Sequence, residues 1–361
     1  KYLILENKAI CFCKFPHLKQ HMIITKTPFR ISFFGGGTDY PAWLKENNGS
    51  VIGTTINKYC YISCRVLPPF FEHKHRIVYS VVENVKTVSE IQHPSVRAAL
   101  EYIGIDDGIE IHHDGDLPAK TGLGSSSSFT VGLLHALYAM KGVMLSKKQL
   151  ASEAIHIEKN ILKENVGLQD QILVSTGGFK KIEFASESVF QETPIIIHDG
   201  RLNELKSHLM LFFTGISRFA SSIAGKKIKN IPKKKYELAL MCEMVEEAIS
   251  IITSGKNICE FGQLLNESWK LKRTLTDNIT NSFIDNIYDN AMETGAIGGK
   301  ILGAGGGGFM LIFAKPQDQT RIKKRLKKFL CVPFDFEKHG SQVIVFQPES
   351  SGFNYPNHGC L

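Results

Sequence analysis

The chain has 361 residues, 43% of them hydrophobic and 22% charged, which is too long for one comfortable core and sufficient for two domains. Its net charge of +8 rests on lysine runs (Lys226-Lys227, Lys233 to Lys235, Lys323 to Lys328) that read as solvated faces. No basic stripe interleaved with aromatics marks a nucleic-acid partner, and no apolar run approaches the ~20 residues that cross a bilayer.

Eight cysteines show neither C-x-x-C pairs nor zinc spacing, so they are read as reduced thiols of a cytoplasmic protein. His112-His113-Asp114 reads as a strand end rather than a metal site. Residues 1 to 21 carry four lysines against one glutamate, and their apolar middle is broken by Lys14 and lacks a small-residue cleavage site. A signal peptide is not expected. The segment is read as a dispensable extension or the product of an extended reading frame.

From Ile23 to Phe34 a β-rich run ends in Gly35-Gly36-Gly37-Thr38-Asp39-Tyr40, a turn that sets a carboxylate beside a close backbone approach. Taken alone, Asp39 is equally a capping aspartate on a glycine turn. Alternation over 50–66 and 75–82, split by Pro68-Pro69, predicts paired strands, and a short helix follows over 94–103.

Ile109 to His113 alternates as a strand, Leu117 to Ser128 is a glycine-and-serine loop, and Phe129 to Leu137 runs on as an apolar helix. That order makes a phosphate site. Glycines turn backbone N–H groups inward, the helix start adds unpaired donors and a positive dipole end, and serine hydroxyls can complete a metal shell. The P-loop pattern is absent, and a flexible linker is not normally followed without a break by a buried-looking helix.

Ser146 and Gln149 form a capping box that opens a helix to about Lys163, with Leu150, Ala154, Ile157 and Ile161 on its buried face. Glu158 sits on the flank of that stripe, where periodicity alone favours a salt-bridged carboxylate. Asp170 follows twelve residues later, just before Ile172-Leu173-Val174, where a helix N-terminus would help keep it ionised. Residues 176–197 return to strand-like alternation, and the turn signal Asp199-Gly200 marks a domain boundary.

Leu209 to Phe213 reads as a buried strand, and helices are predicted over 235–253, 258–271 and 281–293. The second ends in Lys272-Arg273, which on the plain reading complement its dipole. Gly298 to Phe313 is a glycine loop between a helix and an apolar strand, the reverse of the order that a dinucleotide fingerprint needs. A basic helix over 319–329, a last strand over 342–346 and a polar tail complete the chain.

Three segments in this order carry a resemblance: Pro28 to Tyr40, Pro118 to Ser127 with its Gly122-Leu123-Gly124-Ser125-Ser126-Ser127 core, and Gly298 to Phe313. Together with Glu158 and Asp170, they make residues 22–347 similar to the galactose–homoserine–mevalonate–phosphomevalonate (GHMP) family of small-molecule kinases. The resemblance implies an α+β fold of two domains with the active site in the cleft between them. The N-terminal domain, 22–200, would be of the ribosomal protein S5 domain 2 type with a left-handed crossover. The C-terminal domain, 201–347, would be ferredoxin-like, followed by a tail over 348–361.

The same resemblance implies ATP and Mg²⁺ as cofactors. Gly122, Leu123, Gly124, Ser125, Ser126, Ser127, Gly305 and Gly306 would bind ATP, and Ser126 and Glu158 the metal. Asp170 would be the catalytic base with Arg30 beside it, while Gly36, Gly37, Thr38 and Asp39 would hold the sugar.

The triple glycine departs from the Gly-Glu-His-Thr-Asp-Tyr loop of galactokinases. It resembles bacterial heptose 7-phosphate kinases and, more distantly, fucokinase domains. That likeness implies attack by the anomeric hydroxyl of D-glycero-D-manno-heptose 7-phosphate to give the 1,7-bisphosphate, for nucleotide-activated heptose of capsule or surface glycan. Arg218, Lys272 and Arg273 are then candidates for the sugar's own phosphate.

An anomeric kinase of an unphosphorylated sugar such as L-fucose is the alternative. A sensor without turnover would be expected to lack Asp170, Glu158 or Ser126. The expected partners are a sugar phosphate and ATP, with no nucleic acid and no membrane. The oligomeric state stays open, a homodimer included.

Overall fold

A computed structural model of the chain describes residues 22–216 and 220–347; the extension 1–21, Arg218 and the tail 348–361 lie outside these. The N-terminal half runs β1 (Met22–Phe34), α1 (Pro41–Leu44), β2 (Gly49–Val66), β3 (His75–Val78), β4 (Val82–Val85), α2 (Pro94–Ile103), β5 (Ile109–Gly115), α3 (Ser125–Met140), α4 (Lys147–Ile155), α5 (Gln169–Thr176), β6 (Lys180–Phe184) and β7 (Phe190–Pro194). The C-terminal half runs α6 (Asp199–Ser207), β8 (Leu209–Phe213), α7 (Ala220–Asn230), α8 (Lys235–Thr253), α9 (Cys259–Arg273), α10 (Ser282–Glu293), β9 (Ala296–Ile301), β10 (Phe309–Ala314), α11 (Pro316–Arg325), β11 (Leu330–Cys331), β12 (Phe336–Glu337) and β13 (Gln342–Gln347).

Two sheets organise these elements. The first has the order β13-β1-β2-β5-β3-β4, with β6 and β12 also paired to β2 and β7 paired to β6; the second is β11-β8-β10-β9. The architecture is α+β. Residues Pro28 to Phe34 of β1 are buried without alternation, as a strand covered on both faces must be. Phe33 and Phe34 set their ring edges against Phe261 of α9, with centroids 5.5 and 5.1 Å apart. A contact from the first sheet to a C-terminal helix thus fixes the strand that carries Arg30. Helix α3, apolar on nearly every side, is buried against β1 and β2.

Four local features differ from expectation, each for a physical reason. The helix expected to reach Lys163 is α-helical only to Ile155 and continues as a π-helical turn, His156–Ile161, which rotates Glu158 from the flank of the apolar stripe into the core. Asp199-Gly200 is not a loop but the first turn of α6, capped by His198 Nδ1. Helix α11 starts at Pro316, earlier than expected, because proline is preorganised for a first helical position. The final strands return to the first sheet, β13 beside β1 and β12 beside β2. Strand β13 covers an edge of β1 that would otherwise present unpaired N–H and C=O groups. No helix among the described residues is long and apolar enough to cross a membrane.

Candidate active site

Strand β1 delivers Arg30 and the first turn of α5 delivers Asp170. The two meet as a fork: Arg30 Nε donates to Asp170 Oδ1 at 2.8 Å and Nη2 to Oδ2 at 2.6 Å. The remaining arm, Nη1, donates to the carbonyl of Gly122 at 2.7 Å, which ties the pair to the glycine-serine loop. Arg30 is 4% exposed and Asp170 24%. The carboxylate is therefore oriented by a buried guanidinium while one side of it opens to the cleft, an arrangement suited to accepting a proton from a bound alcohol.

In the central loop, Gly124 is left-handed and leads into α3, whose start no side chain caps. Its first N–H groups face the loop as an anion site. Ser126 is exposed, Ser125 Oγ accepts from Lys120 N at 3.0 Å, and Ser128 Oγ donates to the carbonyl of Pro28. Gly122 has φ +83°, and a Cβ there would stand 2.4 Å from the carbonyl oxygen of Leu302. The Gly122→Ala variant is expected to lose about tenfold or more in nucleotide affinity, because strain and overpacking of this kind cost roughly 1–3 kcal/mol. Nucleotide titration checks this, and wild-type affinity would contradict the close approach.

The third glycine loop braces the second. Phe309 N donates to the carbonyl of Thr121 at 3.2 Å, and Gly306 N donates to that of Ile279 at 2.9 Å. Gly306, expected on nucleotide phosphates, thus has its N–H committed within the protein, and Gly305 stands beside Ile279.

Glu158 is fully buried. Its Oε2 accepts from Ser127 Oγ at 3.0 Å and from Gln171 Nε2, while Oε1 has no partner among the described residues. Burial pushes the carboxyl up to about 7 against the pull of Gln171, Thr130 and Ser127. The serine hydrogen-bonded to Glu158 is Ser127, while Ser126, expected with Glu158 on the metal, is exposed in the first turn of α3. An orphaned buried carboxylate oxygen beside a hydroxyl fits Mg²⁺, which commonly takes one or two carboxylates and completes its shell with water and substrate phosphates. Glu158 and Ser127 are the residues that would hold it.

At the first glycine loop, Asp39 is buried and accepts from Gly37 N and Gln169 Nε2, each at 2.9 Å. Thr38 Oγ1 donates to the carbonyls of Gly35 and Ser50, so Thr38 shapes the loop rather than facing the cleft. Gln169 joins this loop to the turn that carries Asp170.

Of the expected basic pocket, the described residues include Lys272 and Arg273, which face different ways. Arg218 lies outside the described residues. Arg273, 35% exposed, pairs with Asp285 at 3.1 Å, and Arg273→Ala is expected to change acceptor KM by less than about fivefold, since exposed pairs contribute about 0–1 kcal/mol. A tenfold rise in KM would restore it to the site. Lys272 turns inward and donates to the carbonyls of Ile301 and Gly303 at 2.8 and 2.7 Å.

Residues that sequence reasoning missed are Gln169, Gln171, Thr130, Lys227 and Lys300. A cation inside the apolar run around Lys300 was a usable signal. Lys227 gave none, being one of several lysines on its helix.

Residues 87–178 match the GHMP kinases N terminal domain and residues 238–330 the GHMP kinases C terminal domain, together just over half of the chain. The chain belongs to the GHMP kinase family. It is an ATP-dependent phosphotransferase with an alcohol acceptor, and it carries the N- and C-terminal domains of the GHMP kinase fold. Over 344 residues this kinase is 29% identical to the D-glycero-alpha-D-manno-heptose 7-phosphate kinase of Campylobacter jejuni, a match that spans 88% of the chain and 97% of that protein. It is 26% identical to the L-fucokinase/L-fucose-1-P guanylyltransferase of Bacteroides fragilis, over 83% of the chain and 35% of that longer protein. In fold it resembles the crystal structure of a D-glycero-D-manno-heptose 1-phosphate kinase from Bacteroides thetaiotaomicron, with TM-score 0.74 and 21% identity, covering 91% of this chain and all of that one.

Proposed function

We propose that this kinase phosphorylates the anomeric hydroxyl of D-glycero-D-manno-heptose 7-phosphate in the cytoplasm, giving the 1,7-bisphosphate for nucleotide-activated heptose of capsule or surface glycan. The chemistry rests on the Arg30–Asp170 fork at the glycine-serine loop, and the choice of acceptor on the likeness to the Campylobacter heptose kinase along nearly its whole length.

Asp170 accepts the proton of the sugar hydroxyl as its oxygen bonds to the γ-phosphorus of ATP and the bond to the ADP oxygen breaks. Arg30 aims the Asp170 carboxylate through its two parallel hydrogen bonds. The N–H groups at the start of α3 take up negative charge on the transferred group. Glu158 and Ser127 would hold Mg²⁺, which supplies charge neutralisation on the ATP phosphates. Asp39 and the Gly36-Gly37 turn shape the sugar's seat.

ADP release against heptose 7-phosphate, mannose 6-phosphate, L-fucose, galactose and no sugar tests the reading. Turnover confined to the phosphorylated heptose is expected. Turnover with L-fucose would favour the second reading, which the Bacteroides fucokinase likeness supports, and silence on every sugar would favour a sensor.

A further inference from the structure

Three lysines outside the catalytic fork are buried and bond to carbonyls at or beside the first and third glycine loops. Lys227 on α7, Lys272 at the end of α9 and Lys300 on β9 are each 3–4% exposed. Lys227 Nζ lies 3.3 Å from the carbonyl of Gly36 and 5.1 Å from the centroid of the Tyr40 ring. A Cβ at Gly37, where φ is +121°, would come within 2.7 Å of it. Lys300 Nζ donates to the carbonyl of Phe33 at 2.6 Å, and Lys272 bridges those of Ile301 and Gly303. An ammonium carries three N–H donors, yet the bonds these three make to described residues end on only four carbonyl oxygens.

Charge is out of balance in the same place. Lys272 feels Lys300, Lys227 and Arg30; Lys300 feels Lys227 and Arg30; the anion that bears on Lys227 is Asp39. Asp170 is already matched by Arg30, and Tyr40 is buried with its hydroxyl held protonated by desolvation. Burial pulls Lys300 down to about 7 and Lys227 to about 8. Burial without enough anions disfavours the charged form of these lysines, and a ligand that brings negative charge and several acceptor oxygens would restore it. A phosphoryl group is such a ligand.

We propose that Lys227, Lys272 and Lys300 form an internal phosphoryl-binding site and that its ligand is the phosphate carried by the acceptor sugar. This rests on the reading of the chain as a sugar-phosphate kinase. Lys227 and Lys300 reach the glycine loop and β1, the acceptor side of the cleft, and only Lys272 reaches the third loop. Of Arg218, Lys272 and Arg273, expected from sequence, the site retains Lys272, while Arg273 pairs with Asp285 and Arg218 lies outside the described residues.

The test compares kcat/KM for D-glycero-D-manno-heptose 7-phosphate with that for the same heptose unphosphorylated, in the wild type, Lys227→Met and Lys300→Met. Each substitution is expected to lower the ratio about tenfold to hundredfold, the worth of one or two charge-assisted hydrogen bonds. A general defect, or lysines that serve the transferred phosphoryl of ATP, would lower both rates and leave the ratio, which would overturn the site. If the variants do not fold, calorimetry of the wild type in two buffers of different ionisation enthalpy decides. Binding of the phosphorylated heptose at about pH 8 is expected to take up protons, since an anion raises the lysines' proton affinity, and absence of uptake would overturn the proposal. Wild-type turnover of unphosphorylated L-fucose alone would instead overturn the functional reading on which the site rests.

Discussion

Asp170→Asn is expected to lower kcat by about 10²–10⁴, the range that a positioned general base contributes, with nucleotide binding retained. Asparagine keeps the shape of the side chain and can still accept one hydrogen bond from Arg30, whose Nη1 remains on the carbonyl of Gly122. What disappears is the anion that receives the hydroxyl proton. Asp170 is also partly exposed to the cleft, so the loss of charge leaves Arg30 less stranded than it would be in a sealed core. Steady-state rates and ADP titration separate the two effects. Turnover within threefold of wild type would remove Asp170 from the mechanism, and loss of ADP binding together with turnover would make the fork structural.

Glu158→Gln has the second large effect, and its sign depends on pH. Burial raises the Glu158 carboxyl from its ordinary 4.5 to about 7. An acid whose folded value is raised binds its proton more tightly in the folded state, so its contribution falls as pH rises from about 4.5 through 7 and stays lost above that window. The full swing is roughly 3 kcal/mol. In metal-free protein, the stability of Glu158→Gln relative to wild type is expected to improve across this window. At its upper end the net gain is about 1–3 kcal/mol, the relief of the buried charge less the cost of an amide nitrogen that takes the place of the unpartnered Oε1. Added Mg²⁺ is expected to raise the melting temperature of the wild type and not of the variant. Melting curves at a series of pH values, with chelator and with Mg²⁺, check both. A stability difference that is flat with pH and indifferent to Mg²⁺ would return Glu158 to a structural role.

Long, strongly periodic elements were legible in the sequence: β1, β2, α2, α3 and the three helices α8, α9 and α10 lie close to where alternation and 3.6-residue spacing put them. So were the glycine loops, whose residues have few other uses. The Arg30–Asp170 pairing came from the resemblance of the first motif, because no periodicity joins residues 140 positions apart.

What the sequence did not carry is depth and direction. Glu158 looked like a flank residue because a regular helix would put it there, and only the π-helical turn sends it inward. Lys272 and Arg273 are adjacent and chemically alike, yet one faces the carbonyls of β9 and its loop while the other pairs with α10. Neighbours on a helix lie about 100° apart, so the last turn splits them. Strands β11 and β12 are two residues each, too short to alternate.

The central claim, transfer to the anomeric oxygen of a sugar that already bears a phosphate, is tested most directly by ³¹P NMR of the product formed from D-glycero-D-manno-heptose 7-phosphate with Mg²⁺ and ATP. The expected spectrum keeps the 7-phosphate resonance and gains a second sugar phosphate coupled to the anomeric proton. A new phosphate coupled to any other proton, or no new sugar phosphate while L-fucose yields one, would contradict it.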